Sequence, residues 1–167
     1  MSHILPTFDA VLVTGMAYLN TPSMPVPPRA RKSARDYINY AFEVLTCTHD
    51  VSFVTSTSSP YRTHTDMIGD YSRGRLVINT NGNDPISFTK SDNLKFRAVH
   101  DSHHCIHNLP FGWIGEYPAH LVLISECPDA ALIWKSEVWY QTCAYYASGS
   151  TFASQKFIIL RNGGEIN

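Results

Sequence analysis

Four of the chain's eight histidines fall within eight residues, in the run His100-Asp101-Ser102-His103-His104-Cys105-Ile106-His107. On a helix turning about 100° per residue, His100, His103, His104 and His107 project within one arc of roughly 100°. Leu94, Ala98 and Cys105 fall on the opposite side, which makes that side the natural core seam. Imidazoles at i and i+4 on one face can chelate a single ion, the geometry of helical zinc and iron sites. Further ligands must then come from other elements. Glu116 and His120 form a second i, i+4 pair at the start of the next expected helix, and Glu137 lies in the helix after that. Asp101 is placed to orient a liganding imidazole as an outer carboxylate. The candidate metal ligands are therefore His100, His104, Glu116, His120 and Glu137, and the candidate ions are Fe(II) and Zn(II).

Each of these residues also has a plainer reading. The stripe could be a solvent-facing row of imidazoles that titrates near neutral pH. Glu116 could simply be a first-turn carboxylate complementing a helix dipole. No spacing here is diagnostic in the way HExxH is. Nucleophilic catalysis by Cys105 requires an exposed thiolate, and the seam argument buries that side chain. The chain has no GxSxG elbow and no glycine-rich phosphate loop.

The elements that must position these groups read as follows. Residues 8–19 form a mostly apolar strand or strand-like arm centred on Ala10-Val11-Leu12-Val13. Four prolines between Thr21 and Pro28 make an extended connector. Ser33 caps a helix running to about Leu45. Val51–Thr55 is a short strand, Thr63–Tyr71 a short helix and Arg75–Thr80 a second strand, followed by a turn at Asn81-Gly82-Asn83-Asp84-Pro85. Ser91 caps the histidine helix, which ends near His107 before Asn108-Leu109-Pro110-Phe111-Gly112. A further helix runs from about Gly115 to Glu126 with Pro118 in its first turn, and another from Asp129 to about Ala147. The tail 152–160 is a strand or short helix, and Gly163-Gly164 a frayed end. The outline is α+β: a small N-terminal β region with a helix, and a predominantly helical C-terminal half.

At 167 residues the chain is expected to be a single domain with a real core, residues 1–31 forming an arm and connector and 32–160 the core. Apolar residues make up 44% and charged ones 16%, the balance of a globular chain. Thirteen basic against fourteen acidic residues leave no basic excess for non-specific nucleic-acid binding. The run Arg29, Arg31, Lys32 and Arg35 reads as a solvated helix face. No long apolar stretch or signal peptide is expected, and the four cysteines lack any CxxC pairing. Reduced thiols in a cytosolic protein fit best.

The run Phe96-Arg97-Ala98-Val99-His100-Asp101, then Phe111, Gly115-Glu116, Ala119, Glu137 and Gln141, and finally Phe152, Gln155-Lys156 and Leu160, resembles a domain of bacteriophage proteins. That domain occurs alone or inside large polyvalent polypeptides. Upstream, Pro60-Tyr61, Met67, Asp70 and Gly74-Arg75-Leu76-Val77 look like the same domain, so the resemblance spans roughly residues 35 to 160. It implies a phage-encoded protein of the infected host's cytoplasm, and adds Gln141 to Asp101, Glu116 and Glu137 as candidate catalytic residues. A fainter similarity links the His-Asp motif to the H[DE]xxGH of aromatic amino acid hydroxylases, where two histidines and a later glutamate hold a mononuclear non-haem iron. Trp134-Lys135-Ser136-Glu137 and Ala144–Gly149 are similar to the segment carrying that glutamate. Where that motif and the FRAVHDxFGH of the phage domain both have Gly-His, this chain has His104-Cys105. His104 is one residue early but on the correct face. Either the ligand set is His100, His104 and a glutamate, or the ancestral site has been lost.

Two functions follow as expectations. One is a metal-dependent enzyme acting on a small molecule, with iron favouring oxidation and zinc favouring hydrolysis. The other is a catalytically inactive phage accessory protein that binds a host protein or sequesters a small ligand. Neither expectation involves a membrane.

Overall fold

Thr7 settles the first segment differently from its strand-like texture. Its hydroxyl accepts the Ala10 N–H at 3.3 Å, and a helix follows, α1 (Phe8–Asn20). The computed structural model describes residues 4–160, so Gly163-Gly164 lies outside the described residues. Val11, Thr14, Gly15 and Tyr18 are buried at helical spacing, and burial of that face overrides the β propensity of the valines. The face packs on the last described helix, Gln141–Ala147. Gly15 permits the approach: a Cβ there would stand 2.1 Å from the Cys143 carbonyl oxygen.

The proline-rich connector forms neither helix nor strand, and its last proline begins α2 (Pro28–Glu43). Pro28 occupies the first helical position, where its missing N–H costs nothing and its fixed φ suits the helix. Ser33 therefore sits inside this helix rather than capping it. Beyond Glu43 the chain widens into a π-helical turn, Val44–Thr48.

Next come β1 (Ser52–Ser56), α3 (His64–Tyr71) and β2 (Arg75–Asn79). The strands pair in parallel, in register from Ser52–Arg75 to Ser56–Asn79. Parallel neighbours need a crossover, and α3 belongs to it, started by a capping box between Thr63 and Asp66. Gly74 makes the turn into β2 with φ at 72°, a region that favours glycine.

Helix α4 (Lys90–Ile106) starts two residues earlier than Ser91 would allow, because Thr89 caps it and accepts the Asp92 N–H. Helix α5 (Trp113–Glu126) follows a short loop. Pro118 lies past its first turn, inside the helix. The remaining helical stretch runs through a 3-10 turn (Pro128–Ala130), α6 (Ala131–Trp134), a π segment (Lys135–Tyr140) and α7 (Gln141–Ala147). The tail 152–160 is neither strand nor helix. Its Phe157 and Ile158 are nevertheless fully buried.

The fold is α+β and mostly helical in its C-terminal half. Helix α4 is central to it. Ala98 and Cys105, with Leu94, pack against Met67, Leu76 and Ile78, the side expected for the core seam. Burial pushes the Cys105 thiol up to about 12. Phe96, on another side of α4, stacks on Trp134 in a second cluster with Ile38 and Phe157. No described helix is long and apolar enough to cross a membrane.

Candidate metal centre

His100 and His104 stand one turn apart on α4, their rings 4.6 Å centroid to centroid. Their α5 partner arrives by a tight loop. Asn108 (φ 52°) and Gly112 (φ 86°) both take left-handed conformations, and Gly115 lies so close to the loop that a Cβ there would meet the Pro110 carbonyl oxygen at 1.7 Å. Glu116, in the first turn of α5, thereby faces both imidazoles.

His100 Nε2 lies 3.0 Å from Glu116 Oε2, and His104 Nε2 lies 3.5 Å from Glu116 Oε1. The two Nε2 atoms are 3.3 Å apart. On the far side of each ring stands a group that can only accept. His100 Nδ1 donates to Asp101 Oδ1 at 3.4 Å, and His104 Nδ1 donates to the Leu109 carbonyl at 2.9 Å. With both Nδ1 atoms protonated, both Nε2 lone pairs and a carboxylate converge on one point. Such an arrangement could hold a cation between them.

In the metal-free chain a proton supplies that cation. Burial opposes a charge on His100, but the Glu116 carboxylate and the hydrogen bonds to Asp101 and Glu116 outweigh it, raising the imidazole from 6.5 to about 10. Burial pushes the Glu116 carboxyl upward, and His100 and His104 together hold it well below the usual carboxylate range. His104 is almost wholly buried, and its main-chain carbonyl meets His64 Nε2 at 3.1 Å.

The other candidate residues go elsewhere. Glu137 sits in the π segment, buried, where Ser87 Oγ donates to its Oε1 and Gln141 Nε2 donates to its Oε2 at 3.0 Å. Burial raises its carboxyl above the ordinary value, against those two hydrogen bonds. It shares a cavity of about 570 Å³ with His100 and Glu116 but does not join the group of ligand atoms within 4.8 Å of one another, which is His100, His104 and Glu116. His120 is buried among aromatics, stacked on Trp139 and edge-on to Tyr117. The histidine stripe itself divides. His103 turns to Glu126, 3.2 Å away, whose carboxylate also accepts from Tyr37 Oη, and His107 is exposed.

Three contributors carried no usable signal in the sequence. The Leu109 carbonyl is backbone, Ser87 lies fifty residues from the carboxylate it serves, and Glu126 closes an ion pair from the far end of α5. No family model, curated protein or solved structure matches the chain.

Proposed function

We propose that this protein is a metal-dependent enzyme that holds one divalent transition ion between His100 Nε2, His104 Nε2 and the Glu116 carboxylate, and acts on a small molecule in the adjoining cavity. The observation that carries this reading is the convergence of three acceptor groups whose outer partners fix both imidazole tautomers. The spacing fits as well. An ion about 2.0–2.1 Å from each ligand separates neighbouring ligand atoms by about 2.9–3.4 Å; here the two Nε2 atoms are 3.3 Å apart, and the two Glu116 oxygens face one imidazole each, at 3.0 and 3.5 Å. Two imidazoles and one carboxylate suit Fe(II) or Zn(II). Such an ion would supply Lewis acidity, or with iron redox chemistry, beside the cavity that His100 and Glu116 line. The chain's own contribution is orientation. Asp101 and the Leu109 carbonyl hold the rings, and Glu116 offsets the ion's charge.

Elemental analysis of untagged protein, with zinc and Fe(II) titrations followed by thermal unfolding, tests the reading. One ion per chain and a higher Tm are expected. An unchanged Tm with every ion, together with metal-free purified protein, overturns it. Asp101→Asn leaves an acceptor beside His100 but removes its charge, and zinc affinity is expected to fall about 10-fold. The side chain is 31% exposed, so the fold should tolerate the change.

The metal-free chain has its own pH signature. His100 rises from 6.5 to about 10 on folding, so its contribution to stability is full below pH 6.5 and fades as pH climbs towards about 10. Glu116 is depressed from 4.5, so its contribution is present above pH 4.5 and disappears as pH falls through the folded value. Metal-free Tm should therefore decline from pH 6.5 upward, whereas the Tm increment given by zinc should grow, since the ion displaces a proton. Thermal melts at pH 6 and pH 9, with and without zinc, check both slopes. His100→Gln should flatten the first.

A further inference from the structure

Helix α1 is apolar on two opposite sides, and the described chain covers only one of them. Ala10, Val11, Thr14, Gly15 and Tyr18 are buried on the side that packs on α7. On the other side Val13 is 67% and Met16 50% exposed, with Leu12 and Ala17 half-buried beside them. A surface helix ordinarily turns charged residues outward. Here Asp9 is the only charged residue between positions 4 and 28. The outer side therefore has an apolar middle and one polar residue at each end, Asp9 and Asn20, both exposed.

The spacing makes this face complementary to itself. Asp9, Val13, Met16 and Asn20 follow one another at intervals of four, three and four, the kind of stripe that a second helix covers in a coiled coil. Read in reverse, the stripe has the same intervals. Two copies laid antiparallel bring Val13 against the partner's Met16, Leu12 against the partner's Ala17 and Asp9 against the partner's Asn20. The end pairs match as well. Asn20 donates one amide N–H to the Met16 carbonyl at 2.9 Å, and its second N–H remains for a carboxylate. A negative charge is ordinarily unfavourable at a helix C-terminus. Lys156 removes that objection, because its Nζ donates to the Leu19 carbonyl at 2.8 Å and the Thr21 carbonyl at 3.2 Å. The partner's Asp9 would arrive beside an ammonium group.

From this self-complementary stripe we propose that the protein forms a two-fold dimer through the outer face of α1, with the two helices antiparallel. Each residue pair then occurs twice, as a two-fold interface requires. A lipid surface is the poorer match. Interfacial helices carry Lys and Arg around their apolar stripe, and α1 has neither. The face is one helix of 13 residues, about 20 Å long. It is smaller than the ~800 Å² per partner of a standard interface, so a weak dimer is expected, with a dissociation constant on the order of 10–100 µM. The dimer needs neither the ion nor a ligand and stands or falls apart from the metal-site reading.

Sedimentation velocity of the untagged full chain, from about 5 to 500 µM so as to bracket that constant, tests the proposal. A shift from monomer to dimer is expected, the same with and without zinc. Val13→Lys should leave a monomer throughout, because each dimer would otherwise bury two ammonium groups. Its position is 67% exposed, and a thermal melt checks that the variant folds. Asn20 reports the direction of the pairing and carries the test if Val13→Lys does not fold. Asn20→Lys gains an ion pair with the partner's Asp9 twice per dimer and should tighten association about 3- to 10-fold, whereas Asn20→Asp should loosen it by a similar factor. In a parallel pair position 20 would meet itself, and both changes would loosen it. A monomer at every concentration overturns the proposal, as does a dimer indifferent to Val13→Lys or one loosened by both Asn20 variants. Flotation of a monomeric chain with phosphatidylcholine vesicles would give the face to lipid instead and overturn it equally.

Discussion

Glu116→Ala lowers affinity for zinc more than about 100-fold, because loss of an outer partner alone costs about 10- to 100-fold and Glu116 is placed as a direct ligand. Glu116 is also the main support of the His100 charge. The same variant should therefore lose most of the decline in metal-free Tm between pH 6.5 and about 10. Competition against a chromophoric chelator gives the affinity, and thermal melts give the pH profile. Glu137→Gln is the informative comparison. Glu137 lies outside the group of converging ligand atoms, so zinc affinity should stay within about 3-fold, well short of even an outer-partner loss. The reverse pattern, with Glu137 required and Glu116 dispensable, would show that the ion sits deeper in the cavity and would end the assignment.

Gly115→Ala is expected to be the most damaging single-methyl change near the site. The added carbon would stand 1.7 Å from the Pro110 carbonyl oxygen and 2.8 Å from its carbonyl carbon, so backbone rather than a pliable side chain must move. Overpacking costs typically about 1–3 kcal/mol, and a backbone clash belongs at the top of that range. For a chain of this size about 3 kcal/mol corresponds to roughly 6–12 °C in Tm. The displaced loop carries the Leu109 carbonyl that holds His104, so zinc affinity should drop as well. Gly69→Ala is the matched control. Its Cβ would meet only the Arg73 guanidinium at 3.7 Å, and within α3 alanine should stabilise by about 0.8–1 kcal/mol. A Gly115→Ala variant as stable as the parent would mean that the loop yields freely and does not set the position of Glu116.

The parts of the fold that the sequence discloses are those governed by neighbours along the chain. Thr63 and the apolar run after Gly74 announce α3 and β2, and His100 with His104 is a pair fixed by one helical turn. The first helix was hidden because Val11 and Val13 favour strands, while its buried face includes Thr14 and Gly15, which hydrophobic periodicity does not count. Which glutamate faces the imidazoles is not a local question. It depends on two left-handed residues in the loop before α5 and on a π segment that widens the backbone at Glu137. One extra residue in that turn changes which side chains share a face, and regular 3.6-residue spacing does not anticipate it.

The tail is tied to the beginning of the chain. Lys156 Nζ donates to the carbonyls of Tyr18, Leu19 and Thr21 at the end of α1, and the Lys156 N–H donates to Tyr18 Oη across 138 residues of sequence. Ribosomes add about 5–20 residues per second, so α1 is made roughly 7–28 seconds before Lys156 exists. Through that interval the surface around Val11 and Tyr18 is uncovered and open to chaperones or to a neighbouring nascent chain. Clipping the tail ahead of Lys156 should loosen the end of the first helix along with it, while the packing of α1 on α7 remains.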